Sequence, residues 1–231
     1  MTDSLKSIRT FTPGIFRKEV ALIIQLIGIR LICILIGYGF GCVQTAYIVG
    51  RLIKKIDVRE HGSGNAGTSN VIRVVGRRAG LLVFVADILK AIAAFVLCSL
   101  LFGGGGSFFP SGLPLEPGLY AGLGVLLGHN FPFFLKFKGG KGIASSLGIM
   151  LAIDWRAAVA VYLVGASILA FTRYISLTSL AMALLFPLLL IALSHRPEII
   201  IITFIMTGMA FILHRGNIQR LLNGTERKLV L

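Results

Sequence analysis

The composition of this 231-residue chain excludes an ordinary soluble domain. Hydrophobic residues make up 56% of it and charged residues only 14%, against about 25% charged in soluble domains. A bilayer can surround that much apolar surface, so the mean hydropathy of +0.89 indicates an integral membrane protein. The net charge of +14 lies in short gaps between apolar runs, which fits membrane lipid and anionic ligands as partners better than nucleic acid.

The apolar runs follow a polar, basic extension that covers residues 1–19, and residues 20–231 are predicted to form a single domain. Lipid offers no partners for free backbone groups, so each run should be helical. We predict an all-α transmembrane bundle of about seven spans, with five or six possible because the run 142–153 is shorter than the usual ~20 residues. The runs lie at 20–50, 79–102, 117–135, 142–153, 156–172, 174–194 and 197–213.

The segment between the second and third runs predicts an external loop. Four consecutive glycines at 103–106 are followed by Pro110, Pro114 and Pro117, and this sequence cannot continue a helix. The cysteines, Cys33, Cys42 and Cys98, lie inside apolar runs without metal-ligand spacing, so we expect no metal and no cofactor.

The distribution of cations predicts the orientation. Seven spans place fifteen Lys and Arg residues in the gaps 51–78, 136–141, 173 and the tail 214–231, and only Arg156 and Arg196 in the opposite gaps. The positive-inside rule makes the first side cytoplasmic, which puts the C-terminus in the cytoplasm and the N-terminus outside. The basic N-terminal tail departs from the rule, but the loops outweigh it.

The first of three polar clusters covers residues 60–73 and combines glycines, hydroxyl and amide side chains and a terminal cation. Glycines let backbone amides approach an anion closely, and such nests bind phosphate. An ordinary polar loop is the alternative interpretation. The candidate site residues here are Ser63, Gly64, Asn65, Gly67, Ser69, Asn70 and Arg73.

The second cluster, residues 128–142, precedes a helix that should begin near Ile143. A helix N-terminus with free amides binds anions, and the neighbouring lysines add charge. The alternative is a positive-inside loop with a glycine turn. The candidates are His129, Lys138, Gly139, Gly140, Lys141 and Gly142.

The third cluster, residues 214–226, follows the last apolar run. One interpretation is that its cations are juxtamembrane anchors. If the stretch is helical, however, Asn217 and Arg220 lie on one face. The candidates are His214, Arg215, Asn217, Arg220 and Glu226.

A further pair, Asp87 and Lys90, lies inside an apolar run. Ionisable residues in a membrane are costly and usually pair inside the protein. A structural ion pair and a wall of the site are both compatible with their position.

The three clusters, in this order, resemble the motifs of the bacterial membrane-integral glycerol-3-phosphate acyltransferases that use acyl phosphate as donor. The resemblance covers roughly residues 31–231 and lies in Ser63–Arg73, in Gly128-His129 with Phe137–Gly142, and in His214–Glu226. Departures include Ala66 in place of proline, Thr68-Ser69 in place of Ala-Thr, Ala91 where glycine often follows the lysine, and Gln44 in the first span.

The resemblance implies transfer of a fatty acyl group from acyl phosphate to the 1-hydroxyl of glycerol 3-phosphate, giving lysophosphatidic acid and phosphate. It also implies the bacterial inner membrane, an active site facing the cytoplasm, and neither acyl-CoA nor acyl carrier protein as direct donor. We expect Ser63, Arg73, His129, Lys141, Asn217 and Glu226 to be catalytic, and the other candidates to bind substrate.

Two other classes of function and one mechanistic choice remain open. An organophosphate or anion transporter would use repeated halves, and no repeat is visible. A structural protein that binds anionic lipid would not need the asparagine and glycine pattern. Ser63, Ser69 and Ser145 lack an adjacent basic partner in sequence, which favours direct attack by the substrate hydroxyl. The proton acceptor is His129, His214, Glu226 or a substrate phosphate.

Overall fold

The computed structural model describes residues 13–103 and 115–229, and within these ranges the chain is helical and contains no strand. Residues 1–12 of the basic extension and residues 104–114 of the predicted external loop lie outside the described residues. The helices are α1 (Pro13–Cys42), α2 (Thr45–Lys54), α3 (Thr68–Val74), α4 (Arg77–Phe102), α5 (Leu115–Asn130), α6 (Ile143–Ile153), α7 (Trp155–Thr172), α8 (Ile175–Ala192), α9 (Pro197–Leu213) and α10 (Arg215–Leu222), with 3₁₀ turns at Val58–Glu60 and Phe133–Leu135.

The all-α architecture predicted from the apolar runs is confirmed. Within the described ranges, five helical segments are long and apolar enough to cross a bilayer, and a sixth counts if α9 and α10, bent by 61°, form one span. Helix α6 has 11 residues and rises only about 16 Å. The count of seven spans and the orientation therefore stay predictions.

Paired ionisable side chains lie at the end of the bundle opposite the three clusters. Arg30 of α1 pairs with Glu198 of α9 at 2.7 Å, and His195 lies 3.1 Å from Asp154, between α6 and α7. Because α6 begins in the second cluster and ends at Asp154, this short helix connects the two ends of the bundle.

The first apolar run is divided into two helices. Helix α1 begins at Pro13, inside the predicted extension, and ends at Cys42, after which the chain restarts as α2. The break holds Gln44, which is buried and donates a hydrogen bond of 2.9 Å to the carbonyl oxygen of His129. The break therefore ties the end of α1 to the second cluster.

Helices α1 and α5 pack closely because glycines line both sides of their contact. A Cβ atom at Gly41 would lie 2.2 Å from the carbonyl oxygen of Val125, and one at Gly128 would lie 2.1 Å from that of Tyr38. Small residues spaced four apart let membrane helices approach at backbone distance. This contact fixes the end of α5 that carries His129.

A small apolar cluster supports the loop of the first polar cluster. Buried side chains from α2, α3, α4 and the intervening loop pack together there, separately from the main core of the bundle: Ala46, Val49, Val58, Ala66, Val71, Ala79 and Val83.

Candidate active site

Residues from all three polar clusters line one cavity of about 720 Å³. The sequence-predicted residues on its wall are Ser63, Asn65, Gly67, Ser69, Asn70, Arg73, His129, Lys141, Gly142, His214, Asn217, Arg220 and Glu226. The remaining candidates are not on the wall: Gly64, Lys138, Gly139, Gly140 and Arg215.

Asn70 holds the loop of the first cluster in shape. Its side-chain oxygen accepts a hydrogen bond of 2.8 Å from the backbone nitrogen of Ser63. Its side-chain nitrogen donates to the carbonyl oxygens of Val58 at 2.7 Å and His61 at 3.0 Å. These backbone groups use most of the hydrogen-bonding capacity of this buried amide. We therefore interpret Asn70 as shaping the loop, although it was predicted to bind substrate.

Arg73 is the cation that the first cluster presents to the cavity. It lies on α3 and is exposed. Its guanidinium makes no hydrogen bond or ion pair with any residue that the structure describes. An unpaired guanidinium on a cavity wall is available to a phosphate group, for which its planar fork is well suited.

The two adjacent glycines of the second cluster let the chain turn tightly against His129. The backbone nitrogens of Gly139 and Gly140 donate to the carbonyl oxygens of Asn130 at 3.1 Å and His129 at 3.0 Å. A Cβ atom at Gly139 would lie 2.1 Å from the carbonyl oxygen of His129, so a larger residue does not fit. These glycines therefore bring Lys141 to the cavity without lining it themselves.

Lys138 and Lys141 differ sharply in environment. The side chain of Lys138 is exposed and off the cavity wall, whereas Lys141 is partly buried and lines the cavity. Burial, and then the positive charge of Arg220, lower the pKa of Lys141 to about 8, although Glu226 acts in the opposite direction. The predicted start of the next helix is confirmed, because α6 begins at Ile143.

Glu226 is the centre of the hydrogen bonds in the third cluster. It accepts from Asn217 at 2.6 Å, from Ser176 at 2.8 Å and from the Nε of Arg220 at 2.7 Å. Burial alone would raise the pKa of Glu226, but these three hydrogen bonds outweigh it and lower the pKa below its ordinary value. Because residues 215–222 are helical, Asn217 and Arg220 share a face, as expected.

Lys141 joins the second cluster to the third, because its ammonium donates a hydrogen bond to the side-chain oxygen of Asn217. Ser176 stands on α8 and completes the set around Glu226, although no pattern in the sequence indicated it. Asp87, left open as a wall residue, does line the cavity and pairs with Lys90 behind it at 2.7 Å.

The cavity also has a large apolar part between α4, α7 and α8. Its lining side chains include Phe84, Tyr162, Ala166, Leu169 and Met182, and Gly165 leaves space between α7 and α8. A Cβ atom at Gly165 would lie 2.4 Å from the sulfur of Met182. The cavity thus offers cations and amides in one part and room for a hydrocarbon chain in the other.

No group of three or more His, Cys, Asp or Glu side chains is placed to hold a metal ion in the part of the chain that the structure describes. The polar groups around the cavity are instead suited to anions, since Arg73, Lys141 and Arg220 all reach its wall.

The apolar helices define a multi-pass membrane protein, and its cavity combines cations with apolar side chains. The family model described as glycerol-3-phosphate acyltransferase matches residues 31–224. The chain therefore belongs to the glycerol-3-phosphate acyltransferase family, and the resemblance seen in the sequence is confirmed.

Individual relatives agree with the family model. The glycerol-3-phosphate acyltransferase of Thermoanaerobacter pseudethanolicus is 39% identical over 195 residues, which cover 84% of this chain and 93% of the relative. That of Clostridioides difficile is 38% identical over 203 residues, or 86% and 95% of the two chains. A crystal structure of PlsY (YgiH), an integral membrane glycerol 3-phosphate acyltransferase in its glycerol 3-phosphate form, has a TM-score of 0.78, with 31% identity over 87% of this chain and 96% of that one.

Proposed function

We propose that this protein transfers a fatty acyl group from acyl phosphate to the 1-hydroxyl of glycerol 3-phosphate. The hydroxyl oxygen bonds to the acyl carbon, the bond from that carbon to the phosphate oxygen breaks, and the hydroxyl proton passes to an acceptor. The products are lysophosphatidic acid and phosphate. Crystal structures of the related PlsY, in a glycerol 3-phosphate form and a lysophosphatidic acid form, support this assignment.

The proposal rests on the side chains that line the cavity. Both substrates carry a phosphate, and Arg73, Lys141 and Arg220 reach the cavity from three separate clusters. The donor also carries a hydrocarbon chain, and the apolar part of the same cavity provides a matching environment. A single cavity can therefore bring the acyl carbon and the hydroxyl together, which is a large part of catalysis for two-substrate reactions.

The surroundings of the serines favour direct attack by the substrate hydroxyl. Ser63 and Ser69 line the cavity, but neither side chain hydrogen-bonds to a histidine or a carboxylate within the described residues. Ser145 is fully buried in α6, away from the wall. A serine nucleophile needs an adjacent base. The geometry therefore supports catalysis in which the protein positions the two substrates and stabilises negative charge.

The proposed roles follow from the contacts. Arg73 and Lys141 stabilise negative charge on the leaving phosphate and the developing oxyanion. Asn217 and Glu226 hold Lys141 in place. The proposed site lies in the bacterial inner membrane and faces the cytoplasm. This placement matches the excess of Lys and Arg in the loops that carry the three clusters.

Purified protein in detergent or nanodiscs tests the proposal with palmitoyl phosphate and glycerol 3-phosphate as substrates and lysophosphatidic acid as the product measured. We expect activity with palmitoyl phosphate and none with palmitoyl-CoA or palmitoyl-acyl carrier protein. Lys141→Ala should abolish most of it, whereas Lys138→Ala, its matched control in the same loop, should keep it. A folded protein that is inactive with palmitoyl phosphate, or active with palmitoyl-CoA alone, would contradict the proposal.

A further inference from the structure

Lys90 occupies a buried position behind the cavity and has three hydrogen-bond partners. Its Nζ lies 2.7 Å from Oδ1 of Asp87, 2.8 Å from the carbonyl oxygen of Val43 and 3.0 Å from Nδ1 of His129. Its side chain is only 8% exposed, and that of Asp87 only 1%. The carboxylate of Asp87 at 2.7 Å favours the ammonium form of Lys90, which has three donors and no acceptor. Each of its hydrogens therefore has one partner.

We propose that Lys90 is a positioning residue that fixes the tautomer of His129. Nδ1 of His129 must supply a lone pair to the Lys90 ammonium, and a neutral imidazole carries its single hydrogen on the other nitrogen. His129 is therefore the Nε2–H tautomer. A Cβ atom at Gly140 would lie 2.1 Å from Nε2, which places this N–H beside the turn that carries Lys141 to the cavity. The catalytic part of this inference rests on the function proposed above.

The consequence is that His129, which lines the cavity, is available there as a hydrogen-bond donor and not as the acceptor of the substrate's proton. An N–H aimed at phosphate or at a developing oxyanion stabilises negative charge. The second histidine of the cavity has the opposite arrangement. Nδ1 of His214 lies 2.8 Å from the carbonyl oxygen of Ala210, so Nδ1 carries the hydrogen and Nε2 keeps the lone pair.

A purely structural ion pair would explain less of this geometry. Asp87 already has two partners, because Thr45 donates to it at 3.1 Å and Lys90 at 2.7 Å. An ion pair alone gives no reason for the third hydrogen of Lys90 to meet the ring of a cavity-lining histidine. The experiment must therefore separate an effect on His129 from a general effect on folding.

The first measurement is ring-nitrogen NMR on purified protein with isotope-labelled histidine, in which His129→Gln assigns the signals of His129. Wild type should show Nδ1 unprotonated and Nε2 protonated at His129. The variant Asp87→Asn with Lys90→Met removes both charges together, so it leaves no unpaired buried ion. It should turn His129 into a mixture of tautomers and leave the signals of His214 unchanged. A protonated Nδ1 at His129 in wild type overturns the proposal, and this spectrum is independent of any activity.

The second measurement is a kinetic double-mutant cycle. The Asp87→Asn/Lys90→Met variant should lower kcat by about tenfold to a hundredfold, as for outer-shell partners of metal-ligating histidines. In the His129→Gln background the same two substitutions should cost less than about twofold, because the residue through which Lys90 acts is already gone. An equal loss in both backgrounds would show that the pair is merely structural. Inactive wild type with the expected NMR signals would count against the proposed function and leave the tautomer assignment intact.

Discussion

Asn217 and Glu226 are joined by a hydrogen bond of 2.6 Å from the side-chain nitrogen of Asn217 to the carboxylate. The side-chain oxygen of Asn217 is thereby turned toward Lys141, from which it accepts a hydrogen bond. The position of the ammonium in the second cluster is thus set by residues of the third. A cation held in this way is preorganised, and preorganised charge is what electrostatic catalysis requires.

The first prediction concerns Lys141→Arg. The longer, planar guanidinium keeps the charge but cannot take the place of a compact ammonium against Asn217. We expect normal membrane insertion and purification and at least a tenfold lower kcat, or about 1.4 kcal/mol of barrier. Lys138→Arg is the matched control, because that side chain is exposed and off the cavity wall. Wild-type turnover in Lys141→Arg would show that Lys141 acts only as a topology anchor.

The pH dependence gives a second prediction. The pKa of Lys141 is lowered to about 8 by burial and by Arg220, so the ammonium is charged below that pH and loses its proton as the pH rises through it. If the charged form is required, kcat should fall on the alkaline side with a midpoint near pH 8. The residual activity of Lys141→Arg should lack this fall, because arginine stays charged. An alkaline limb that is identical in both proteins would assign it to another group.

The sequence allowed a good part of the fold and site to be predicted, because the signals were local. Apolar runs that lipid must surround located the long helices, and glycines next to lysines located the start of α6 at Ile143. The division of the first run was not foreseen, since Gln44 ends α1 through hydrogen bonds to the carbonyls of Gly128 and His129, far away in sequence.

The roles within the clusters were harder to predict, because composition does not tell a ligand-binding group from a loop-shaping one. Asn70 was expected to bind substrate, yet its amide bonds the backbone of its own loop. Gly139 and Gly140 were expected at the anion, yet they pack against His129. Ser176 was missed because its link to Glu226 joins residues 50 positions apart.

Arg73→Lys is the third prediction. The guanidinium of Arg73 is exposed on the cavity wall and has no protein partner among the described residues, so its substitution should leave folding intact. A lysine keeps the charge but loses the two parallel hydrogen bonds that a phosphate accepts. We expect at least a tenfold loss of kcat/KM, about 1.4 kcal/mol. Arg77→Lys, an exposed cation off the wall, is the control, and equal activity in both variants would remove Arg73 from the site.

The fourth prediction tests the contact between α1 and α5. In Gly41→Val the new Cβ would lie 2.2 Å from the carbonyl oxygen of Val125, and backbone cannot move aside as a flexible side chain can. Overpacking of this kind typically costs about 1–3 kcal/mol, so the midpoint of thermal unfolding in detergent should fall. Gly39→Val on the same helix should have little effect, because nothing lies within 4 Å of that position. Equal midpoints would show that the helices do not depend on this contact.

The apolar part of the cavity leads to the last prediction, that Gly165→Leu shortens the preferred acyl chain. The new Cβ would lie 2.4 Å from the sulfur of Met182, and this flexible side chain can yield, so the added volume should take space from the cavity and spare the fold. Each buried methylene contributes about 0.8 kcal/mol, so losing room for two of them, ~1.6 kcal/mol, costs palmitoyl phosphate roughly fifteenfold in kcat/KM.

A short donor such as butyryl phosphate does not reach that space, and its kcat/KM in Gly165→Leu should stay within about threefold of wild type, since less than ~0.7 kcal/mol of barrier is at stake. Gly39→Leu introduces the same side chain at a position with open space around it, and should leave the preference for long chains unchanged. If Gly165→Leu lowers kcat/KM equally for the short and the long donor, the hydrocarbon chain lies elsewhere. A chain that contacts α7 near Met182 should instead lose more kcat/KM the longer it is.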